Sequence, residues 1–404
     1  MRTRSAGRVA LLAGLFLLLA SGCGGSAPEG LGADAGGAQL MPDSVASPSA
    51  TAAPVAIVVP TLERTNTPQP TASPSPTAAP PLSLVGSYPI DGDGAVQPQR
   101  PLVLAFDRAL DLPSLQASLV ISPTVTGRFE WQEPHRVAFY PDGGWDGHEA
   151  WQVSLDPGAY AADGGSLAQA WSVSFSTGGR GTPLPVLMYH HVEELGPDAT
   201  EGKKDWTVSP QAFQQQMAYL QEAGWHSISS AALAGYLLDG EPLSPRPVMI
   251  SVDDGNRSFY ENGWPIIQAT GLRPVMFLVA QFADYSGYVS WDEARALVAG
   301  GAWIGSHGYS HRSMHEVPLE ELAWELSDSR AVLESELGVA IDAFCFPYGG
   351  RTDASLAALP GYGYRTGYSL NPTYWQRPED PFFIGRLRVD YRTTMEEFAE
   401  MLPD

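Results

Sequence analysis

Two neighbouring acids and two spaced histidines are the residues of this chain best suited to chemistry. Asp253 and Asp254 end an apolar run, and Gly255 after them allows a sharp turn. His307 and His311 lie four positions apart, a spacing that lets both imidazoles meet one ion from a helical turn. One acid could then bind the ion while its neighbour handles a proton.

Two imidazoles and one carboxylate are typical of a catalytic metal site. Such a set leaves coordination positions open for water and substrate, whereas structural sites are closed by protein ligands. We expect a divalent ion, with zinc first and cobalt or nickel as alternatives. Asp-Asp-Gly alone is a common turn, and the histidine pair is what gives it a functional interpretation.

A third segment, residues 344–350, is an apolar strand broken by proline and then by two glycines. Its part Phe346-Pro347-Tyr348-Gly349, taken in order with residues 251–255 and 307–311, resembles the NodB-homology polysaccharide deacetylases, carbohydrate esterase family four. The resemblance covers about residues 183–400, more than half of the chain. Residues 186–192 are similar to the opening strand of the poly-N-acetylglucosamine deacetylase branch.

The resemblance implies a fold, a reaction and a set of roles. The fold is an α/β one, a distorted (β/α) barrel with fewer than eight strands. Asp254, His307 and His311 would be the metal ligands, Asp253 the general base, and the backbone N–H of Tyr348 an oxyanion donor. The reaction would hydrolyse acetamides to amines plus acetate on an N-acetylglucosamine polymer or peptidoglycan.

The chain departs from the family pattern at two places. No histidine occurs in residues 384–390, where the family often carries its general acid. His190 or His191, at the end of the opening strand, could donate the proton, although a histidine there could equally line the pocket. The arginine that some members place before the Pro-Tyr pair is also absent, which leaves Arg386 to orient the base.

The pattern around these residues predicts parallel strands that alternate with helices. Residues 248–252 and 274–279 are apolar runs long enough for buried strands, and active sites of parallel barrels gather where such strands end. Ser209-Pro210 predicts a capped helix start. A second helix is expected from Pro318 to Gly338, with its leucines in the core: Leu319, Leu322, Leu326, Leu333 and Leu337.

Residues 82–180 show short alternating runs separated by Gly, Pro and Asp, which predicts a small all-β sandwich. The segment resembles bacterial Ig-like domains. Its tryptophans could bind sugar, but packing is the commoner use of such side chains, so we interpret the domain as a spacer. The deacetylase domain is then expected at residues 183–404.

The first 81 residues predict export and a tether. Residues 1–22 have three arginines and then an apolar stretch, as secretory signal peptides do, and Cys23 follows in a sequence that resembles a lipobox. Residues 23–81 are rich in Pro, Ser, Thr and Ala, a composition that cannot form a core. We expect an extracytoplasmic lipoprotein anchored to the membrane through Cys23, with plain secretion as the alternative.

The composition limits the classes of molecule that this protein is expected to bind. The net charge of −22, with 23 basic against 45 acidic residues, argues against nucleic acid. We expect a monomer that binds a polysaccharide. Three rival functions stay open: an O-acetyl esterase, an inactive glycan-binding module, and a surface tether that binds through its Ig-like domain.

Overall fold

The computed structural model describes residues 78–147 and 150–403. They belong to one compact unit, Pro74–Asp404. The predicted signal peptide, Cys23 and the tether up to residue 77 lie outside the described residues, so lipidation stays a prediction. Within those two ranges, no helix has the length and apolar character needed to cross a membrane.

The first domain is a β-sandwich, as predicted. One sheet has the order β1-β2-β5-β4 and the other β3-β6-β7, and neighbouring strands are antiparallel. Side chains alternate inward and outward along β6 and β7, which is the burial pattern of a sheet with one face on a core. The strands are β1 (Leu84–Tyr88), β2 (Leu102–Phe106), β3 (Leu119–Ser122), β4 (Gly127–Glu133), β5 (Arg136–Pro141), β6 (Ala150–Leu155) and β7 (Trp171–Ser176), and helix α1 (Leu112–Ser118) precedes β3.

The tryptophans of the sandwich mostly serve packing. Trp145 and Trp151 are buried, and Trp145 makes edge contacts with Trp151 and Phe175 at ring-centroid distances of 5.1 and 5.0 Å. Edge-to-face pairs of this kind add to core stability beyond the area they bury. Trp131 on β4 is 44% exposed. The core position of the first pair agrees with the spacer interpretation.

The second domain is built on a parallel sheet with the order β17-β16-β15-β14-β13-β9-β19, and β12 pairs with the start of β13. A parallel bridge joins Tyr368 at the end of β17 to Ile384, shortly before β19, and so brings the two sides of the sheet together as in the distorted barrel that was expected. The strands are β8 (Thr182–Pro183), β9 (Val186–Tyr189), β10 (His191–Val192), β11 (Thr207–Val208), β12 (His226–Ser227), β13 (Pro247–Asp254), β14 (Pro274–Leu278), β15 (Trp303–Ser306), β16 (Ala343–Cys345), β17 (Thr366–Tyr368), β18 (Trp375–Gln376) and β19 (Leu387–Arg388).

Helices cover the outside of the sheet. The helix predicted at Ser209-Pro210 begins there, and the Ser209 hydroxyl accepts the N–H of Ala212 as its cap. Phe213, Met217 and Leu220 form its buried face. The helices are α2 (Glu201–Lys204), α3 (Pro210–Glu222), α4 (Ser230–Ala234), α5 (Trp264–Thr270), α6 (Trp291–Ala299), α7 (Ser329–Leu337), α8 (Asp353–Ala358) and α9 (Met395–Glu400).

The segment from Pro318 to Gly338 is helical in pieces and not one helix as predicted. A 3₁₀ turn at Leu319–Glu321 and a π-helical stretch at Trp324–Asp328 precede α7, which ends at Gly338 as expected. The changes of pitch rotate the apolar face. Leu319 is therefore 73% exposed and not in the core, whereas the other four leucines are buried.

The sandwich packs on the amino-terminal end of the barrel. Ser87 of β1 pairs with Leu243, in the loop before β13, through two backbone hydrogen bonds of 2.9 and 3.0 Å. Tyr236 is buried at the contact, and its hydroxyl donates to the Asp93 carboxylate and accepts the N–H of Ile90. One hydrophobic cluster runs from the sandwich core into the barrel interior. The two domains thus share a core.

Candidate active site

The two acids stand at the carboxyl end of β13, where the parallel strands of the barrel finish. Asp253 pairs in register with Phe277 and Asp254 with Leu278, the last residue of β14. Because successive side chains of a strand point to opposite sides, the two carboxylates enter different surroundings. His307 follows directly after β15 and reaches the same end of the sheet.

Asp254 meets both histidines. Its Oδ1 lies 3.3 Å from His307 Nε2 and 3.1 Å from His311 Nε2. This oxygen is buried without a well-aligned hydrogen bond. The three donor atoms lie within 4.8 Å of one another. A carboxylate oxygen and two imidazole nitrogens that converge in this way are suited to a divalent metal ion.

The other nitrogen of each histidine has an acceptor. His307 Nδ1 is 2.8 Å from the carbonyl oxygen of Cys345, and His311 Nδ1 is 3.2 Å from the Tyr348 hydroxyl. With Nδ1–H donated to those oxygens, the Nε2 lone pairs face Asp254. Metal-binding histidines are commonly oriented by such partners. The donor set therefore fits the divalent metal that was expected.

The backbone that presents the histidines is a loop, so the expected helical turn is wrong. Gly308 and His311 have φ angles of 81° and 63°, in the left-handed region. An α-helix cannot include such residues. Asp254, with φ of 71°, and Tyr348, with φ of 57°, share this conformation. Non-glycine residues in it cluster at functional sites, where surrounding structure maintains them.

Asp253 is enclosed by different groups. It is 1% exposed, and its Oδ1 lies 2.7 Å from Arg386 Nη1. The thiol of Cys345 lies 3.5 Å from its Oδ2. Burial alone would raise the pKa of Asp253, but the Arg386 guanidinium and the imidazoles of His307 and His190 lower it overall. Asp253 is thus kept as a carboxylate.

His190 lies beside Asp253, with its Nε2 3.8 Å from Asp253 Oδ2. Its ring packs on Trp206 at 4.6 Å between centroids. Burial lowers the pKa of His190 more than the neighbouring carboxylates raise it, so the ring is neutral at neutral pH. His191 also lines the cavity, with its Nδ1 3.2 Å from the Ser258 hydroxyl.

A cavity of about 440 Å³ opens over these residues, and Tyr348, 69% exposed, stands at its edge. A groove of larger volume, about 710 Å³, adjoins it and shares Trp206, Leu370 and Arg386 with it. Charged side chains of both signs line the groove, among them Arg388 and Asp390, whose groups lie 3.6 Å apart. The site is thus a pocket with a groove leading from it.

The pattern of the sequence names the acids, both histidines, Tyr348, His190 and Arg386, and the structure brings all of them to one cavity. It does not name Cys345 or Trp206 as members of the site. Nothing in their local sequence marks them, because only folding brings Cys345 to Asp253 and Trp206 to the pocket.

Comparison with known proteins agrees with the fold and with the order of the two domains. Residues 240–367 match the family described as polysaccharide deacetylase, and residues 77–177 match the bacterial Ig-like domain. YxkH of Bacillus subtilis, whose name assigns it provisionally to the polysaccharide deacetylases, is 21% identical over 206 residues, which are 51% of this chain and 71% of YxkH. The poly-β-1,6-N-acetyl-D-glucosamine N-deacetylase of Escherichia coli is 32% identical over 99 residues, 24% of this chain and 14% of that protein.

The solved structure of a polysaccharide deacetylase from Bacillus cereus superposes with a TM-score of 0.51 at 18% identity. It covers 78% of this chain and 99% of that one, and at this identity the likeness shows the fold alone. Fold, motif order and family match agree. The chain therefore carries a domain that matches the polysaccharide deacetylase family of hydrolases, and a bacterial Ig-like domain precedes it.

Proposed function

We propose that this protein uses a divalent metal to hydrolyse N-acetyl groups on an N-acetylglucosamine polysaccharide outside the cytoplasm. The observation that carries the proposal is the convergence of Asp254, His307 and His311 on one point beside the buried carboxylate of Asp253. A divalent ion held by those three residues would supply Lewis acidity to a water molecule and to the acetamide carbonyl. Zinc suits this donor set best.

Asp253 is proposed as the general base. The carboxylate is charged at neutral pH because Arg386 holds its Oδ1, and its Oδ2 is left to accept a proton from the attacking water. Arg386 is itself fixed, since its Nε donates to the carbonyl of Ser369 at 3.0 Å. The base is thus oriented by a buried cation that directly precedes β19.

The oxyanion of the tetrahedral intermediate needs a donor, and we assign this role to the backbone N–H of Tyr348. The left-handed turn at Tyr348 places this residue at the cavity edge between Pro347 and Gly349. Backbone donors of this kind are rigid and stabilise charge that develops in the transition state. The Tyr348 side chain contributes less, through its contact with His311.

The leaving amine requires a proton, and His190 is proposed to pass it from Asp253. A neutral imidazole 3.8 Å from the newly protonated carboxyl can accept that proton and donate it to nitrogen. The ring is held in place by Trp206. This assignment gives His190 a shuttle role and does not require it to begin as imidazolium.

A polymer is the proposed substrate because the pocket continues into the larger groove. One sugar would lie over the acids, and its neighbours along the chain would lie in the groove. The Escherichia coli relative is named for poly-β-1,6-N-acetyl-D-glucosamine, which supports a glucosamine polymer here. Peptidoglycan is the alternative.

The test is acetate release. The full chain, loaded with zinc or cobalt, is incubated with N-acetylglucosamine oligomers and separately with O-acetylated xylan. We expect acetate from the first substrate. Acetate from xylan alone would make the protein an esterase, and no acetate from either, with metal bound, would leave a binding module.

Matched variants separate the proposed roles. Asp254→Ala should lose both metal and activity, whereas Asp253→Asn should keep the metal and lose about 10²- to 10⁴-fold in kcat. Metal content is measured by elemental analysis on the same samples. Equal metal loss in the two variants would contradict the separate roles proposed for Asp254 as metal ligand and Asp253 as general base.

We also propose that the protein works outside the cytoplasm on a lipid anchor at Cys23. The support is the sequence at residues 1–23. The native chain should leave the membrane fraction with detergent and not with salt, and Cys23→Ala should appear in the soluble fraction. Equal partition of the two proteins would contradict lipidation.

A further inference from the structure

A buried carboxylate outside the proposed machinery lies beneath the histidine loop, residues 307–311. Glu325 is fully buried and belongs to the π-helical stretch Trp324–Asp328, outside the sheet. A buried charge is costly unless several donors compensate it. Its position therefore calls for a specific set of partners.

Those partners belong to the loop between the two histidines. Glu325 Oε2 accepts the backbone N–H of Tyr309 at 2.8 Å and that of Ser310 at 3.1 Å. Its Oε1 accepts the Ser310 hydroxyl and faces Arg312 Nε at 3.3 Å. One carboxylate thus accepts hydrogen bonds from consecutive residues of the loop.

The histidine loop has no regular structure, so its N–H groups need hydrogen-bond acceptors from elsewhere in the fold. Left-handed residues at Gly308 and His311 turn the intervening N–H groups to one side, toward Glu325. On the other side, the carbonyls of Gly308 and Tyr309 accept the N–H groups of Ala280 and Gln281 at 3.1 and 2.9 Å. The loop is therefore held between the 3₁₀ turn Ala280–Phe282, which follows β14, and the π-helical stretch.

We infer that Glu325 is a positioning residue that fixes this loop so that His307 and His311 both face Asp254, and that it thereby sets the affinity of the site for a divalent ion. The inference rests on the proposed function. Glu325 acts through the backbone of Tyr309 and Ser310 and touches neither the ion nor the substrate. Partners of this kind typically change metal affinity or activity about 10- to 100-fold when they are lost.

The test is zinc affinity of the apoprotein, measured by competition with a chromophoric chelator. Glu325→Gln keeps the shape but turns one acceptor into an amide that faces N–H donors, so we expect zinc to bind about 10- to 100-fold more weakly. Glu321→Gln is the matched control because Glu321 also pairs with Arg312 and makes no contact with the loop backbone. It should bind zinc as the parent does.

A second variant covers the case in which Glu325→Gln does not fold. Ser310→Ala removes one donor and leaves the carboxylate in place, and we expect zinc to bind several-fold more weakly to the folded apoprotein. Parental zinc affinity in a folded Glu325→Gln, or in Ser310→Ala where the first variant is unfolded, would overturn the inference. A parent that binds zinc but releases no acetate would overturn the proposed function alone, and a parent that binds no zinc would overturn both.

Discussion

At the scale of residues, Asp253 and Asp254 are adjacent yet have separate surroundings. The strand directs one carboxylate to Arg386 and the other to the histidines. The adjacent acids and the pair of histidines can be recognised in the sequence, since each is a short local motif. Arg386 is predicted to orient the base only because this chain lacks the arginine that some family members place before the Pro-Tyr pair. Glu325 cannot be named from the sequence at all, because only folding brings it near the backbone and side-chain donors of the histidine loop.

The Arg386–Asp253 pair leads to a prediction about the base. Arg386→Lys keeps a positive charge but cannot reproduce the planar contacts to Asp253, Ser251 and the Ser369 carbonyl. We expect kcat to fall at least about tenfold while zinc content stays constant, because the base loses its orientation and the ligands do not change. Steady-state kinetics with elemental analysis measures both. Arg377→Lys, at an exposed pair with Glu379, serves as control, and equal loss in the two variants would contradict the role.

At the scale of elements, the parallel strands and α3 follow from apolar runs and capping residues. The segment from Pro318 to Gly338 does not, because leucine spacing cannot distinguish a continuous α-helix from 3₁₀, π and α pieces in series. The histidine loop also departs from its helical expectation. There, left-handed residues and the Glu325 carboxylate outweigh the local spacing.

The contact between the two domains leads to a second prediction. Burial raises the pKa of Asp93, and the hydrogen bond from Tyr236 lowers it again in part. Tyr236→Phe removes that donor, so the folded-state pKa of Asp93 should rise further. The hydrogen bond from Tyr236 stabilises the charged form of Asp93, so its removal costs most stability at a pH where that form predominates. The loss of stability should therefore be about 1–3 kcal/mol at pH 8 and smaller at a pH near 4, where the carboxyl is protonated more often.

Urea unfolding at the two pH values measures this difference, and Tyr160→Phe, at an exposed tyrosine of the sandwich, is the control. A cost that grows as the pH falls would contradict the assignment. So would an equal cost in the control variant.

At the scale of the whole molecule, the order of a sandwich followed by a barrel can be read from the change of pattern near residue 180. The shared core cannot, because the residues that form it are ordinary apolar side chains in each domain. Val103 and Trp145 of the sandwich belong to the same cluster as Met249 and Phe277 of the barrel. The sandwich is therefore a structural part of the folded unit that contains the barrel.

A fragment that begins at residue 183 tests this view. It would expose Tyr236 and Leu243, which are 1% and 4% exposed in the whole chain, and each buried side chain of this size is worth about 1.5–3 kcal/mol. We expect the fragment to aggregate or to unfold without cooperativity in circular dichroism melts. A fragment with the Tm of the full chain would show that the barrel is independent.

The sandwich leaves the entrance of the proposed active site free. It meets the barrel through Ser87 of β1 and Leu243 in the loop before β13, while the acids emerge at the opposite end of β13. All residues that line the cavity over the acids come from the barrel. A surface or a second protein held against the sandwich would therefore leave that entrance accessible.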